Sequence, residues 1–226
     1  MSKIINIALD GPSGSGKSTI AKRLSKKMGI VYVDTGALYR SIGLYIDKIG
    51  VEPTDCDAVA AHLDEIKLEM YFENGNQYIR LNGEVIEDLS LRTDRRSMYA
   101  SAVSKHIPVR NFLLDTQRNI AKKNSVVMDG RDIGTVILPE AQVKVFMTAS
   151  NECRAKRRYD ELCAKGIECK YEEVLADMIK RDENDRNREV APCVPATDAV
   201  ILDTSDLTID EVVAKIEEII SQKTNI

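Results

Sequence analysis

The sequence has no tryptophan, three phenylalanines and two histidines among 226 residues. Single-stranded nucleic acid is usually held by stacking its bases on aromatic rings in a basic groove. Here aromatics are 5% of the chain, the formal net charge is −4, and no long basic stripe occurs. That argues against a DNA- or RNA-stimulated ATPase. The five cysteines, at 56, 153, 163, 169 and 193, include no Cys-x-x-Cys motif, and His62 and His106 are far from any pair of cysteines. This argues against a zinc set or a disulfide framework and leaves reduced thiols as the expectation. No apolar run approaches the ~20 residues of a membrane span. No signal-peptide pattern, internal repeat or low-complexity segment is visible. The expectation is a cytoplasmic protein with neither a membrane nor a nucleic-acid partner.

The most informative segment is Gly11-Pro12-Ser13-Gly14-Ser15-Gly16-Lys17-Ser18, followed by Thr19. It fits G-x-x-x-x-G-K-[ST] at every fixed position. An apolar run of strand type, residues 4–10, precedes it. A helical pattern with Ile20, Leu24 and Met28 follows. Strand, glycine loop and helix are the setting of a phosphate-binding loop. Glycines let the backbone curl so that successive N–H groups point at phosphate oxygens, and the helix N-terminus adds partial positive charge. Lys17 is expected to reach the β- and γ-phosphates. Ser18 is expected to offer its hydroxyl to Mg²⁺. The chain is therefore expected to bind a nucleoside triphosphate, with ATP as the expected donor.

Further strand-like runs lie at residues 30–34, 126–129, 143–148 and 199–203. Helical stripes alternate with them. Leu38, Ile42, Tyr45 and Ile49 form one, and Pro108 opens another as a first-turn proline. Thr208-x-x-Glu211 reads as a capping box, followed by the apolar face Val212, Val213, Ile216, Ile219 and Ile220. The predicted class is α/β: a P-loop NTPase-type parallel sheet flanked by helices. Between residues 66 and 86 the period changes to two, with turns at Asn74-Gly75-Asn76 and Asn82-Gly83, which predicts a small antiparallel meander. The expected organisation is one P-loop domain over residues 1–226. Its core is about 1–50, 91–150 and 191–226. A β insertion covers about 51–90, and an arginine-rich lid about 151–190.

The lid segment carries Arg154, Arg157, Arg158, Arg181, Arg186 and Arg188 among many acids. If residues 171–187 are helical, Arg181, Asp185 and Arg188 share a face, and Arg154 and Arg158 lie one turn apart. A charge run alone is most simply a solvated helix laced by ion pairs. Beside a phosphate loop, the arginines read instead as stabilisers of a transferring phosphoryl group. The motif Asp34-Thr35-Gly36-Ala37-Leu38-Tyr39-Arg40 follows the second strand, where ligands gather in open α/β sheets. Thr35 is a plausible donor and Arg40 a phosphate clamp, although Asp34 or Thr35 could simply cap a helix. Asp129-Gly130-Arg131-Asp132 follows the third strand. Asp129 stands where a Walker-B acid would. Arg131 and Asp132 are either a structural pair or a reader of cytosine, whose edge mixes donor and acceptors.

Together these motifs resemble the bacterial cytidylate kinase family of nucleoside monophosphate kinases. The likeness spans essentially the whole chain. It rests on GPSGSGKS at 11–18, DTGALYR at 34–40, P-V-R with Q-R at 108–118, DGRDIGT at 129–135, and RDENDRNR with AP-x-VPA at 181–196. The resemblance implies transfer of the ATP γ-phosphoryl group to CMP or dCMP, with Mg²⁺ as cofactor. It implies CMP contacts from Thr35, Tyr39, Arg40, Ser101, Arg110, Asp129, Arg131, Asp132, Arg181 and Asp185, with Arg188 approaching the same side. It assigns ATP to residues 11–19 and places Arg154 and Arg158 over it. Lys17, Arg131, Arg154, Arg158, Arg181 and Arg188 are the expected catalytic set. Small kinases of this kind are often monomers, and a monomer is expected. Two rival readings are another small-molecule P-loop kinase and a regulatory GTPase, and the latter lacks its Asn-Lys-x-Asp guanine reader here.

Overall fold

The computed structural model describes residues 4–87 and 94–224. In chain order the elements are β1 (Asn6–Asp10), α1 (Lys17–Met28), β2 (Val31–Asp34), α2 (Thr35–Lys48) and α3 (Cys56–Ala61), then a 3₁₀ turn (Leu63–Glu65). Next come β3 (Leu68–Glu73), β4 (Asn76–Leu81), β5 (Glu84–Ile86), α4 (Asp94–Val103) and α5 (Ile107–Lys123). β6 (Val126–Asp129) leads into a π turn (Ile133–Ile137), followed by β7 (Val143–Thr148), α6 (Asn151–Ala164), α7 (Tyr171–Asn187), β8 (Val200–Asp203) and α8 (Ile209–Thr224). All five strands expected of the parallel sheet are present, shortened at their starts by at most two residues. The chain divides into two compact units. One is residues 1–4 and 29–126, the other residues 5–28 and 127–226.

In the second unit the strands run in the order β6-β1-β7-β8. β7 is parallel to β1, with Ile7 opposite Val143, and parallel to β8, with Val145 opposite Val200. β1, β6 and β7 are buried on both faces, which is why they read as continuous apolar runs rather than as alternation; β8, at the edge, is not, and its Ile201 is exposed. Ile7, Leu9, Leu24, Met128, Ile133, Ile137 and Met147 are all fully buried. Each such side chain contributes about 1.5–3 kcal/mol by leaving water. α8 packs beside α1, and Lys27 Nζ reaches Glu217 Oε1 at 2.7 Å across them. The capping box of α8 forms as expected. Thr208 N–H donates to Glu211 Oε2 at 2.8 Å, and Glu211 N–H donates back to Thr208 Oγ1 at 3.3 Å. Val212, Val213, Ile216 and Ile220 are buried, while Ile219 lies at the margin of that face.

In the first unit, Val31 N–H donates to Ser125 O at 3.0 Å, which sets β2 beside the chain entering β6. α2 buries Leu38, Ile42 and Ile46, and α5 adds Val109 and Leu113 to the same cluster. Ile49, expected on the α2 stripe, is exposed instead. The helix has already ended at Lys48, and Ile49 is its C-cap. The meander is antiparallel with Met70 opposite Ile79 and Ile79 opposite Ile86. Its tight turns hold Asn74, Gly75, Asn82 and Gly83 at φ 51, 76, 50 and 88. Those left-handed pairs match the right-handed twist of the flanking strands. α3 and the 3₁₀ turn, between β2's helix and the meander, had no signal strong enough to be expected. The part of the expected insertion at 88–90 lies outside the described residues.

Candidate active site

β1 delivers the chain into the glycine loop. Gly11 has φ 142, and a Cβ placed on it would lie 2.0 Å from the Met147 carbonyl oxygen of β7. Backbone cannot yield that much, so only glycine fits. Lys17 is buried and folds back over the loop, donating from Nζ to Pro12 O at 2.6 Å and to Ser15 Oγ at 3.0 Å. Burial, and then the Arg131 guanidinium, lower its pKa to about 7. Ser18 Oγ donates to Asp129 Oδ2 at 2.6 Å. That short contact is a charge-assisted bond, and it ties the first turn of α1 to the end of β6. Thr19 is exposed, and Ser13 sits half-buried in the loop.

Asp10, at the end of β1, was not singled out from the sequence. Its Oδ1 accepts the Ile133 N–H and its Oδ2 the Gly134 N–H, each at 2.7 Å. This clamps the π turn after β6, in which Val136 N–H reaches Asp132 O at 2.9 Å and Leu138 N–H reaches Ile133 O at 2.7 Å. Burial raises Asp10 to about 6, against the pull of the two N–H donors. An acid closing an otherwise apolar strand was the signal that could have found it.

The same turn presents Arg131 and Asp132, each to a partner from further along the chain. Arg131 Nε donates to Asp185 Oδ2 at 3.1 Å. Arg188 Nη2 lies 3.7 Å from Asp132 Oδ1. Asp185 is 6% exposed, and its backbone O accepts Cys193 N–H at 2.8 Å. Burial works to raise its pKa, but Arg131, Arg181 and Arg188 outweigh that and hold it below the ordinary carboxylate value. Arg181 stands one turn before Asp185 on α7, half-buried, as the helical spacing anticipated.

Arg154 is 3% exposed and held on several sides. Its Nε donates to Ala149 O at 3.0 Å, Nη1 to Ser13 O at 2.8 Å and Nη2 to Asn151 Oδ1 at 2.5 Å. Nη1 also pairs with Asp182 Oδ2 at 2.5 Å. Arg154 of α6 thus meets both the glycine loop and α7. Arg158, one turn on, is more exposed and reaches Glu161 Oε2 at 3.1 Å. Asp182 is a second residue that the sequence reading missed. It was hidden among the acids of a charged helix.

In the first unit, Asp34 caps α2 by accepting Ala37 N–H at 3.1 Å, and its Oδ2 pairs with Arg40 Nη2 at 2.8 Å. Its backbone is gripped by the meander: Asp34 N–H donates to Gln77 Oε1 at 2.8 Å, and Gln77 Nε2 donates to Asp34 O at 3.3 Å. Of the two caps the sequence allowed, Asp34 is the one used. Thr35 and Tyr39 are buried. Arg40 Nε is buried and has no hydrogen-bond partner among the described residues. The Arg110 guanidinium lies 5.7 Å from the Tyr39 ring centre, with Nη1 donating to Ser104 O at 3.2 Å. Ser101 is half-buried on α4. Tyr39, Arg40 and Arg110 therefore come from the helices of one unit, and Lys17, Ser18, Asp129, Arg131, Asp132, Arg154, Arg181, Asp185 and Arg188 from the other.

A glycine loop running from a parallel strand into a helix, its lysine over the loop and its serine on a strand-end carboxylate, defines a P-loop nucleotide-binding protein of the kinase type. Shikimate kinase from Bacteroides thetaiotaomicron shares the fold at a TM-score of 0.50, with 12% identity over 97% of this chain and 99% of that one. The family model for cytidylate kinase matches residues 7–222. Cytidylate kinase from Thermosipho melanesiensis is 48% identical over 96% of this chain and 97% of its own. The Thermosipho africanus cytidylate kinase is 51% identical over 96% and 95%. The chain belongs to the cytidylate kinase family and is a nucleoside monophosphate kinase. Among the described residues no helix is long and apolar enough to cross a membrane.

Proposed function

We propose that this protein transfers the γ-phosphoryl group of ATP to CMP or dCMP in line, giving ADP and CDP or dCDP. The observation that carries the reading is the 2.6 Å bond from Ser18 Oγ to Asp129 Oδ2 beside a buried Lys17 in the glycine loop. The name shared by relatives across the whole chain supports cytidylate as acceptor.

The loop backbone of residues 11–19 holds the triphosphate, and Lys17 leaves Pro12 O and Ser15 Oγ for the β- and γ-oxygens. The donor set at Ser18 fits Mg²⁺: one hydroxyl backed by a carboxylate, with no group of three or more His, Cys, Asp or Glu among the described residues that could cage a metal. A hard ion that keeps waters and takes phosphate oxygens needs no protein cage. When bound, Mg²⁺ offsets charge on the β- and γ-phosphates. Ser18 would hold it through its hydroxyl oxygen, and Asp129, which accepts the hydroxyl proton, would orient that group.

The CMP contacts are Thr35, Tyr39, Arg40, Ser101, Arg110, Asp129, Arg131, Asp132, Arg181 and Asp185, with Arg188 approaching the same side. The buried, unpartnered Nε of Arg40 suits a phosphate oxygen. Arg131 and Asp132 supply donors and an acceptor for the cytosine edge. The nucleophile is a phosphate oxygen of CMP, whose second pKa of ~6 leaves it largely deprotonated at neutral pH. No general base is needed. Lys17, Arg131, Arg154, Arg158, Arg181 and Arg188 work by position and charge, and the α6–α7 segment excludes water. The protein acts as a monomer in the cytoplasm.

The test is ADP release with Mg-ATP and a panel of CMP, dCMP, UMP, AMP, GMP, dTMP and shikimate. Rapid turnover with CMP and dCMP, weak with UMP and absent with purines, is the expected result. Turnover peaking on another acceptor overturns the acceptor assignment. ATP hydrolysis indifferent to every acceptor overturns the kinase reading.

A further inference from the structure

The far end of the α6–α7 segment has no part in that chemistry, yet it places two thiols together. α6 ends in a left-handed turn at Gly166 (φ 72). Gly166 N–H donates to Cys163 O at 2.9 Å, and Ile167 N–H to Leu162 O at 3.1 Å. The chain then doubles back into α7. Tyr159 of α6 and Tyr171, the first residue of α7, meet edge to face with ring centres 6.1 Å apart. The Tyr171 hydroxyl donates to Glu152 O at 3.4 Å. Cys163 lies one turn after Tyr159, and Cys169 two residues before Tyr171, so the closure that seats the rings also brings the cysteines together. The Cys163 side chain neighbours both Cys169 and Tyr159, close enough to raise the pKa of each. Cys163 is exposed, Cys169 is half-buried, and both are free thiols.

We propose that Cys163 and Cys169 are a peroxide-oxidisable dithiol that closes into a reversible disulfide across the α6–α7 turn. The exposed Cys163 sulfur attacks one oxygen of hydrogen peroxide. The O–O bond breaks and one water leaves with the thiol proton, so that Cys163 carries a sulfenic acid. The Cys169 sulfur then attacks the Cys163 sulfur. The S–S bond forms, the S–O bond breaks, and a second water leaves with the Cys169 proton. Two thiols give up two electrons, and one peroxide becomes two waters. Burial and the neighbouring Cys163 raise the Cys169 pKa, which suits the resolving role and not the first attack. The disulfide pins one end of a helix pair whose other end is already joined by Arg154 and Asp182. Its consequence rests on the proposed kinase reading: a lid pinned at both ends closes and opens more slowly, so oxidation lowers turnover several-fold.

Trypsin separates the two cysteines, giving peptides 159–165 and 166–170. After hydrogen peroxide treatment of the whole protein, non-reducing peptide mapping is expected to show these two joined, and dithiothreitol is expected to part them. Cys169→Ser is expected to stop at a Cys163 sulfenic acid that a dimedone probe captures. Turnover of the wild type is expected to fall several-fold on oxidation and recover on reduction, while Cys163→Ser and Cys169→Ser do not respond. Thiols at 163 and 169 that stay free, or a link to Cys56, Cys153, Cys193 or a second chain, overturn the proposal. A mapped bond with unchanged turnover overturns the lid consequence. A reduced wild type without phosphoryl transfer overturns the kinase reading alone and leaves the mapped bond standing.

Discussion

Nucleotide binding at pH 8 is expected to draw close to one proton from solution, and Lys17 is the reason. In the empty protein its ammonium is buried beside Arg131, and its pKa is lowered from 10.5 to about 7. At pH 8 such a group is charged in roughly one molecule in ten. Phosphate oxygens arriving at Nζ favour the charged form and move the pKa back toward its ordinary value. Nearly every lysine is then protonated at pH 8, and the uptake is roughly 0.9 proton per site. At pH 6 the empty protein is already charged at this position, so the Lys17 uptake shrinks to roughly 0.1. Asp10, with a pKa of about 6, has finished titrating by pH 8 and contributes little there. Titration calorimetry with Mg-ADP in two buffers of different ionisation enthalpy reads the proton number directly. A slope near zero at pH 8 refutes the reasoning, as does equal uptake in Lys17→Gln. The same shift has a stability consequence. Below about pH 7 folded and unfolded states both carry the charge, and its burial costs in full. From about 7 up to 10.5 only the unfolded chain holds the proton, so the Lys17 contribution to stability of the empty protein rises with pH.

Arg181→Ala is expected to lower kcat by on the order of 10³-fold or more, as loss of other phosphoryl-transfer arginines does; a loss of only a few-fold returns Arg181 to the role of a helix-surface charge. Gly11→Ala puts a methyl 2.0 Å from Met147 O and is expected to cost on the order of 1–3 kcal/mol or more in denaturant unfolding; unchanged stability would show that β1 and β7 can part there. Thr208→Ala removes a capping-box hydroxyl and is expected to destabilise by about 0.5–2 kcal/mol while leaving turnover unchanged, since the ion pairs from α8 to α1 fall at Arg23 and Lys27, beyond the glycine loop.

The sequence by itself determined the strand-loop-helix of the phosphate site, the meander and the final helix. In each case the signal is local. Period, turn residues and caps act within a few residues of one another, so GPSGSGKS, Asn74-Gly75 and Thr208-x-x-Glu211 mean the same thing read or folded. The motifs around Asp34, Asp129 and Arg181 were legible as motifs, but not their partners. Only the tertiary structure decided that Arg131 pairs with Asp185 and that Arg188 faces Asp132, because those contacts join segments more than fifty residues apart. It also decided that Arg154 is buried between the glycine loop and Asp182, and that Asp10 clamps the turn after β6. A charged or acidic side chain looks alike in sequence whether it faces water or a partner. Burial decides which, and burial is set by what the rest of the chain packs against it.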